Sequence, residues 1–125
     1  MTYDEYINAL NSEAIFKGLS NMTEVETIEV AVKTGERMIK DIKNSGHCRK
    51  EDIKSAKYAI AEVTYLGTKY IAMLFIINGA QILLRATDPI AKKFYIPNEI
   101  WIAGTNENNE TELVHIMSIG ERAEE

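Results

Sequence analysis

The sequence predicts a single α+β domain, 1–125, in which N-terminal helices pack on one face of a C-terminal antiparallel β-sheet. Two observations support this fold class. A long segment with helical spacing comes first, and short apolar segments separated by turn residues follow it. The 125 residues suit one domain, and 46% apolar with 26% charged residues is typical of a globular protein. We expect only the acidic tail, 120–125, to be frayed.

The N-terminal segment predicts two short helices. Thr2 and Glu5 have the spacing of a capping box, in which the hydroxyl and the carboxylate each bond to a free backbone N–H. Ser12 can cap a second helix that runs to Phe16 and stops at Gly18.

A long amphipathic helix is predicted over about 23–44. Thr23 and Glu26 again have capping-box spacing. One face of the helix is apolar, and charged residues cover the opposite face. Gly35 lies mid-helix on the apolar side. Because glycine costs roughly 1 kcal/mol relative to alanine there, we predict a close contact at this position. The apolar positions are Val25, Ile28, Val32, Ile39 and Ile42.

The next segments predict a hairpin of buried strands. The composition of 56–66 fits either a helix or a strand, and we favour a strand that starts near position 57. The apolar run 70–77 fits a buried strand. Asn78 and Gly79 both tolerate positive φ and form a strong hairpin signal, so 81–85 is predicted to be the returning strand.

The C-terminal third predicts a short helix and two more strands. Asp88, followed by proline, is typical of a helix start, so a one-turn helix is expected there. The segment 95–104 reads as one strand that Pro97 interrupts at an edge or a bulge. The polar stretch 105–110 predicts a hairpin loop, and 111–119 the last strand.

Net charge and hydropathy restrict the classes of partner. The formal charge of -5 argues against binding a nucleic-acid polymer, which needs a basic surface, but a pocket for a small anion can still be locally basic. The lone cysteine, Cys48, fits a reducing compartment. No signal-peptide pattern opens the chain, and the longest apolar run, 70–77, is too short to span a membrane. We therefore expect a cytoplasmic protein without membrane contact.

Catalytic and metal-binding motifs are missing from the sequence. His47, Cys48 and His115 lack the spacing of metal ligands, and no phosphate-binding loop or serine-nucleophile motif occurs. Cys48 follows a helix C-terminus, where the dipole disfavours a thiolate. We predict no catalytic residues, no metal and no cofactor. The alternative is a small enzyme acting on nucleotides through Glu62 or Glu99 with His115.

One polar-aromatic segment is the predicted ligand site. Arginine can grip a phosphate with two parallel hydrogen bonds, and aromatic rings can stack on a base. Arg85 ends the apolar hairpin and is the first choice for an anion contact, and Arg49 is the second. The alternative is that the aromatic residues pack in the core and the lysines solvate a turn. The predicted ligand-binding residues are Arg49, Arg85, Lys92, Phe94, Tyr95, Asn98 and Trp101.

The residue usage is rich in isoleucine (17), lysine (10) and asparagine (9), as in low-GC bacteria and their phages. With the helix 23–44, the strand pair around Asn78-Gly79 and the segment 85–101, the chain resembles in type the first family of Thoeris anti-defence proteins. These phage proteins sequester cyclic nucleotide-like signals without cleaving them. The resemblance implies a phage-encoded homo-oligomer in the bacterial cytoplasm that binds a phosphate-linked adenosine signal, and it assigns no individual residue.

Two further interpretations follow from the residues themselves. Glu107, Glu110 and Glu112, with the terminal glutamates, would suit an acidic protein-interaction module or an inhibitor of a host defence protein. The apolar runs 70–77 and 100–102 contain more apolar surface than one small sheet face is expected to hide. Either the amphipathic helix covers it or a second subunit does, in a homo-oligomer formed by edge or face pairing.

Overall fold

The structure, a computed structural model, describes residues 1–44, 46 and 48–119 and confirms the predicted α+β fold. None of the helices within these residues combines the length and hydropathy needed to cross a bilayer. The elements are α1 (Tyr3–Leu19), β1 (Met22–Val25), α2 (Ile28–Asn44), α3 (Lys50–Ser55), β2 (Lys57–Tyr65), β3 (Thr68–Ile77), β4 (Ala80–Asp88), β5 (Lys93–Pro97), β6 (Glu99–Thr105) and β7 (Thr111–Ser118).

The described strands form two antiparallel sheets. Five strands lie in the order β1-β5-β4-β3-β2, and β6 pairs with β7 in a separate hairpin. Two-residue turns with positive φ, Leu66-Gly67 and Asn78-Gly79, join β2 to β3 and β3 to β4. This geometry confirms the predicted hairpin at Asn78-Gly79 and the strand assignment of 56–66, because such turns match the twist of the strands they connect.

Helices α1 and α2 lie against opposite faces of the sheet, and the prediction of packing on one face is therefore wrong. Side chains alternate along β3, so Phe75 and Ile77 join the core cluster that includes α2, whereas Ala72 and Leu74 join the cluster that includes Ile15 of α1. Both faces of the central strands are thus buried, which explains why 70–77 is continuously apolar.

Helix α1 is one continuous helix rather than the two short helices predicted. The backbone N–H of Glu5 donates to Thr2 Oγ1 at 3.2 Å, which confirms the N-terminal cap. Ser12 is exposed inside the helix, and Gly18 is buried against β4. A Cβ at Gly18 would lie 2.8 Å from Leu83 Cδ2, so this glycine permits close packing instead of ending a helix.

Helix α2 begins at Ile28, four residues later than a cap at Thr23 predicts. The N–H of Val30 donates to Thr27 Oγ1 at 3.3 Å, which makes Thr27 the N-terminal cap. Thr23 belongs to β1, where its hydroxyl donates to Asn98 Oδ1 at 2.7 Å. Pairing between β1 and β5 therefore overrides the local helix signal at 23–26.

The helix predicted after Asp88 is replaced by a turn. Strand β4 extends through Asp88, whose Oδ1 accepts from the N–H groups of Ile90 and Ala91 at 3.1 and 3.0 Å. The aspartate thus caps backbone donors as predicted, but the capped segment turns directly into β5.

The predicted strand 95–104 is divided after Pro97 into β5 and β6, which lie in different sheets. Asn98 joins the two parts, since its N–H donates to Asn21 O at 2.8 Å and its carbonyl accepts from Ile119 N at 2.7 Å. The loop prediction for 105–110 is confirmed by the hairpin that β6 and β7 form. The acidic tail, 120–125, lies outside the described residues.

Two buried glycines on different helices give a matched test of packing. At Gly35 an added Cβ would meet only Leu84 Cβ, at an ordinary 3.7 Å, so the predicted contact leaves room for a methyl group. Gly35→Ala should raise the free energy of unfolding by up to about 1 kcal/mol through helix propensity.

Gly18→Ala should lower the free energy of unfolding, because the cost of overpacking, about 1–3 kcal/mol, exceeds the gain in helix propensity. Urea denaturation measures both variants. Equal stability of the two variants would contradict the tight contact at Leu83.

Candidate functional site

A cleft with a cavity volume of about 900 Å³ opens beside the turn between β3 and β4. Residues of the first turns of α1 form one wall, and the β6–β7 hairpin forms the facing wall through 102–105 and Val114. The start of α3, with Cys48 and Arg49, closes a third side, and 77–81 lies at the base. We call this site the hairpin cleft.

The side-chain amide of Asn11 fixes α1 to the base of the cleft. Asn11 is 3% exposed; its Nδ2 donates to Gly79 O at 3.0 Å, and its Oδ1 accepts from Gln81 N at 3.3 Å. Strand β5 pairs with β4 only between Ala86 and Asp88, so no described strand is hydrogen-bonded to this part of the β4 edge. The amide supplies the donor and the acceptor that a neighbouring strand would supply there.

The facing wall is attached to α1 by a second hydrogen bond. The Tyr6 hydroxyl donates to Thr111 O, at the start of β7, at 2.8 Å. At the hairpin tip, Asn106 Oδ1 accepts from the N–H groups of Asn108 and Glu110 at 2.9 and 3.0 Å. The Tyr6 bond thus connects the two walls, and the Asn106 bonds order the loop of the hairpin.

Amides and hydroxyls dominate the polar lining of the cleft. Asn8, Asn78 and Gln81 contribute amides in addition to Asn11. Among the described residues of the lining, the charged ones are Asp4, Arg49 and Asp52. The cleft therefore offers many neutral hydrogen-bonding groups and one cation.

Arg49 is held at the cleft by Asp52. Its Nε lies 3.1 Å from Asp52 Oδ2, and its Nη2 donates to Oδ1 at 3.4 Å. The Arg49 side chain is 74% exposed and that of Asp52 only 16%, so the carboxylate positions an accessible guanidinium. Hydrogen bonding to Asp52, and then the charge of that carboxylate, raises the pKa of Arg49 above its ordinary value. A guanidinium is charged at neutral pH even without this shift.

Cys48 lies beside this ion pair and is partly buried. Burial, and secondarily the negative charge of Asp52, raises the pKa of the Cys48 thiol above its ordinary value. A protonated thiol is a poor nucleophile. The environment of Cys48 therefore slows the reaction of its thiol with electrophiles. The rate of that reaction reports how strongly burial and the Asp52 charge act on the thiol.

The first four residues of the predicted polar-aromatic segment point in different directions. Arg85 pairs with Met73 and lies on the α2 face of β4, whereas Lys92 is exposed in the turn before β5. Phe94 and Tyr95 are consecutive on β5 and therefore lie on opposite faces of the sheet. None of these four residues lines the hairpin cleft.

The last two residues of that segment also lie outside the cleft. Asn98 bonds through its side chain to the segment that forms β1, as its position between the two sheets requires. Trp101 Nε1 donates to Glu99 Oε2 at 3.1 Å, Lys17 Nζ lies 4.7 Å from the indole centroid, and His115 packs edge-on at 5.0 Å. Of the predicted ligand-binding residues, Arg49 alone lines the hairpin cleft.

The residues of the enzymatic alternative are engaged with other groups. The side chains of Glu62 and Lys69 are exposed and form an ion pair at 2.7 Å. Glu62 lies in the five-stranded sheet, whereas His115 lies in the two-stranded one. The pair of Ser118 Oγ and His115 Nε2, at 3.4 Å, is exposed. His47 lies outside the described residues, within which no cluster of three or more potential metal ligands occurs.

Sequence reasoning missed the amides that line the cleft. Asn11 carried a usable signal, because it lies four residues from both Ile7 and Ile15 and therefore shares the apolar side of α1. A buried asparagine at such a position needs hydrogen-bond partners. Asn78 was interpreted only as a turn residue, although the same turn forms the base of the cleft.

The bonds of Asn11 can be tested by its replacement with an apolar residue of similar size. Asn11→Leu leaves Gly79 O and Gln81 N without their partner and should lower the free energy of unfolding by about 1–3 kcal/mol, because Gln81 N is partly buried whereas water can reach Gly79 O. Asn8→Leu, at an exposed position one turn earlier, is the matched control and should change it little. Urea denaturation measures both, and similar losses in the two variants would contradict the role of Asn11.

The reactivity of Cys48 reports the electrostatics of the cleft. Asp52→Asn removes a charge that raises the thiol pKa, so at neutral pH the thiolate fraction and the rate of alkylation by iodoacetamide should rise. Glu51→Gln, an exposed neighbour that contributes no shift to Cys48, is the control and should leave the rate unchanged. An unchanged rate in Asp52→Asn would refute the coupling.

Comparisons with protein-family models, curated proteins and solved structures found no match to this chain.

Proposed function

We propose that the chain is a non-enzymatic binding protein that sequesters a small anionic, nucleotide-like molecule in the hairpin cleft. The observation that carries the proposal is a cleft of about 900 Å³ that combines one accessible arginine with carboxylates and several amides. Small-molecule sites in proteins typically enclose roughly 300–1,000 Å³ and place a few polar groups in such a cavity.

The guanidinium of Arg49 is the proposed contact for a phosphate group. Arginine has more N–H donors than the two that Asp52 accepts, so the group can hold an anion while it keeps its position. Exposed ion pairs are weak, so an incoming phosphate can also compete with Asp52 for the shared N–H groups. Asp52 thus positions the arginine at the cost of some affinity for an anion.

The remaining polar groups match the other parts of a nucleotide. Amides such as those of Asn8 and Gln81 present a donor and an acceptor side by side, which is the pattern that an adenine edge requires. Asp4 can accept from a ribose hydroxyl, as carboxylates do in dinucleotide sites. Tyr3, exposed at the mouth of the cleft, offers a ring for stacking on a base.

The biological role that fits this chemistry is that of a sponge. Binding without reaction would remove a cyclic nucleotide-like signal from the cytoplasm of a bacterial host, as the resemblance to phage anti-defence proteins implies. Sequestration needs a high-affinity cleft and no catalytic group. The raised pKa of the Cys48 thiol is consistent with that requirement. So are the ion pair of Glu62 with Lys69 and the hydrogen bond that Glu99 accepts from Trp101.

The proposal is tested by native mass spectrometry of the chain purified from cells that produce defence signals, and by calorimetric titration with a panel of cyclic and linear adenine nucleotides. We expect a nucleotide that dissociates intact on heating. An altered nucleotide would indicate an enzyme, and the failure of every nucleotide to bind would refute the proposal.

Charge variants locate the phosphate contact. Arg49→Gln should weaken binding by about 10- to 100-fold, the effect of losing hydrogen bonds to a charged group. Asp52→Asn should strengthen binding, because it frees the guanidinium. Arg37→Gln, on α2 and outside the cleft, is the matched control. Equal affinities of the Arg49 and Arg37 variants would contradict a phosphate contact at Arg49.

A further inference from the structure

Strand β2 is a long, regular edge of the five-stranded sheet. Its nine residues pair with β3 without a register shift, from Lys57 opposite Ile76 to Tyr65 opposite Thr68. It contains neither proline nor a bulge, two of the devices that prevent an edge strand from pairing, and its charged residues are Lys57 and Glu62. The opposite edge, β1, has only four residues and carries Glu24, which is ion-paired with Lys93. Pairing through an edge is therefore favoured at β2.

The backbone groups that β2 presents to its free edge follow from the turn. In a two-residue hairpin, the residues that flank the turn exchange both hydrogen bonds, so Tyr65 bonds to Thr68. Because the direction of the N–H and C=O groups alternates along a strand, the groups at the even positions 58, 60, 62 and 64 point away from β3. A strand added at this edge would satisfy them.

The side chains at the same even positions include the two most exposed apolar groups of β2. Tyr58 is 60% exposed and Ile60 is 69% exposed. Both lie on the face that carries Phe75 of β3, which is directly opposite Tyr58. Helix α2 packs on that face against β4, β5 and β1, toward the far edge from β2. Tyr58 and Ile60 therefore combine apolar surface with outward-pointing backbone groups.

We propose that β2 pairs with β2 of a second copy of this chain, antiparallel about a two-fold axis at Ile60. In this register Ile60 lies opposite its counterpart, and Tyr58 lies opposite the partner's Glu62. A two-fold axis perpendicular to the sheet keeps each side chain on its own face, so the apolar groups of both copies meet at the centre. The two sheets then form one continuous sheet.

A second copy is the occupant that the charges of β2 favour. No like charges are opposite each other in this register, and Glu62 already has its ion-pair partner, Lys69, at 2.7 Å. Opposite Lys57 lies the partner's Val63, so the cation meets no other cation. The two-fold axis repeats each off-axis pair, so Tyr58 meets Glu62 and Lys57 meets Val63 on both sides of the axis.

This pairing goes beyond the proposed ligand binding, because β2 contributes no residue to the hairpin cleft.

Sedimentation velocity of the full chain should give twice the 14.1 kDa mass of one chain. Ile60→Lys places two cations at the axis and should halve the observed mass. Ile90→Lys, the same change at an isoleucine that is 87% exposed in the β4–β5 turn, should keep the wild-type mass. Circular dichroism verifies that both variants are folded.

A cross-link tests the register independently of the lysine variants. Residues opposite each other in a hydrogen-bonded antiparallel pair have Cα atoms about 5.5 Å apart, which a disulfide can bridge. Ile60→Cys in a Cys48→Ser background should therefore form a disulfide-linked dimer on mild oxidation, whereas Ile90→Cys in the same background should remain monomeric. A wild-type chain with the mass of one copy, an Ile60→Lys variant that remains dimeric, or the absence of a cross-link at position 60 would each overturn the proposal.

Discussion

Helix α1 takes the place of a strand along the first half of β4. Strand β5 pairs with β4 only as far as Tyr95, opposite Ala86, and the chain enters the second sheet after Pro97. Along the rest of this edge the Asn11 amide is the hydrogen-bond partner of Gly79 O and Gln81 N. Gly18 lets the same helix approach Leu83 closely. The hairpin cleft exists because the N-terminal half of α1 is fixed here, beside the β3–β4 turn and opposite the β6–β7 hairpin.

Local turn chemistry was predictable from the sequence, and the errors arose where distant strands pair. Asn78-Gly79 specifies its hairpin with backbone conformations that few other residues tolerate. Thr23 and Asp88 fit the pattern of helix caps, and each does use its side chain in a hydrogen bond. Thr23 bonds to Asn98, between β5 and β6, and Asp88 bonds to a turn. The same side chains cap helices and turns alike, so only the pairing of β1 and β4 with β5 decides between them.

The candidate site was harder to predict than the fold because its residues are far apart in the sequence. Neighbouring residues on a strand point to opposite faces, which separates Phe94 from Tyr95, and the change of sheet at Asn98 separates both from Trp101. The cleft instead collects residues from α1, α3, the β3–β4 turn and the hairpin. Arg49 is predictable from the sequence because arginines are few and this one follows the long helix, two facts that do not depend on the tertiary fold.

The two exposed surfaces with proposed roles lie on opposite sides of the β3–β4 hairpin. The cleft depends on the outer edge of β4 and on α1, whereas self-pairing depends on β2, which hydrogen-bonds only to β3. A two-fold dimer through β2 would use none of the residues that line the cleft, because β2 contributes no residue to it. Each copy would bind its own ligand, and the dimer would carry two complete and separate sites.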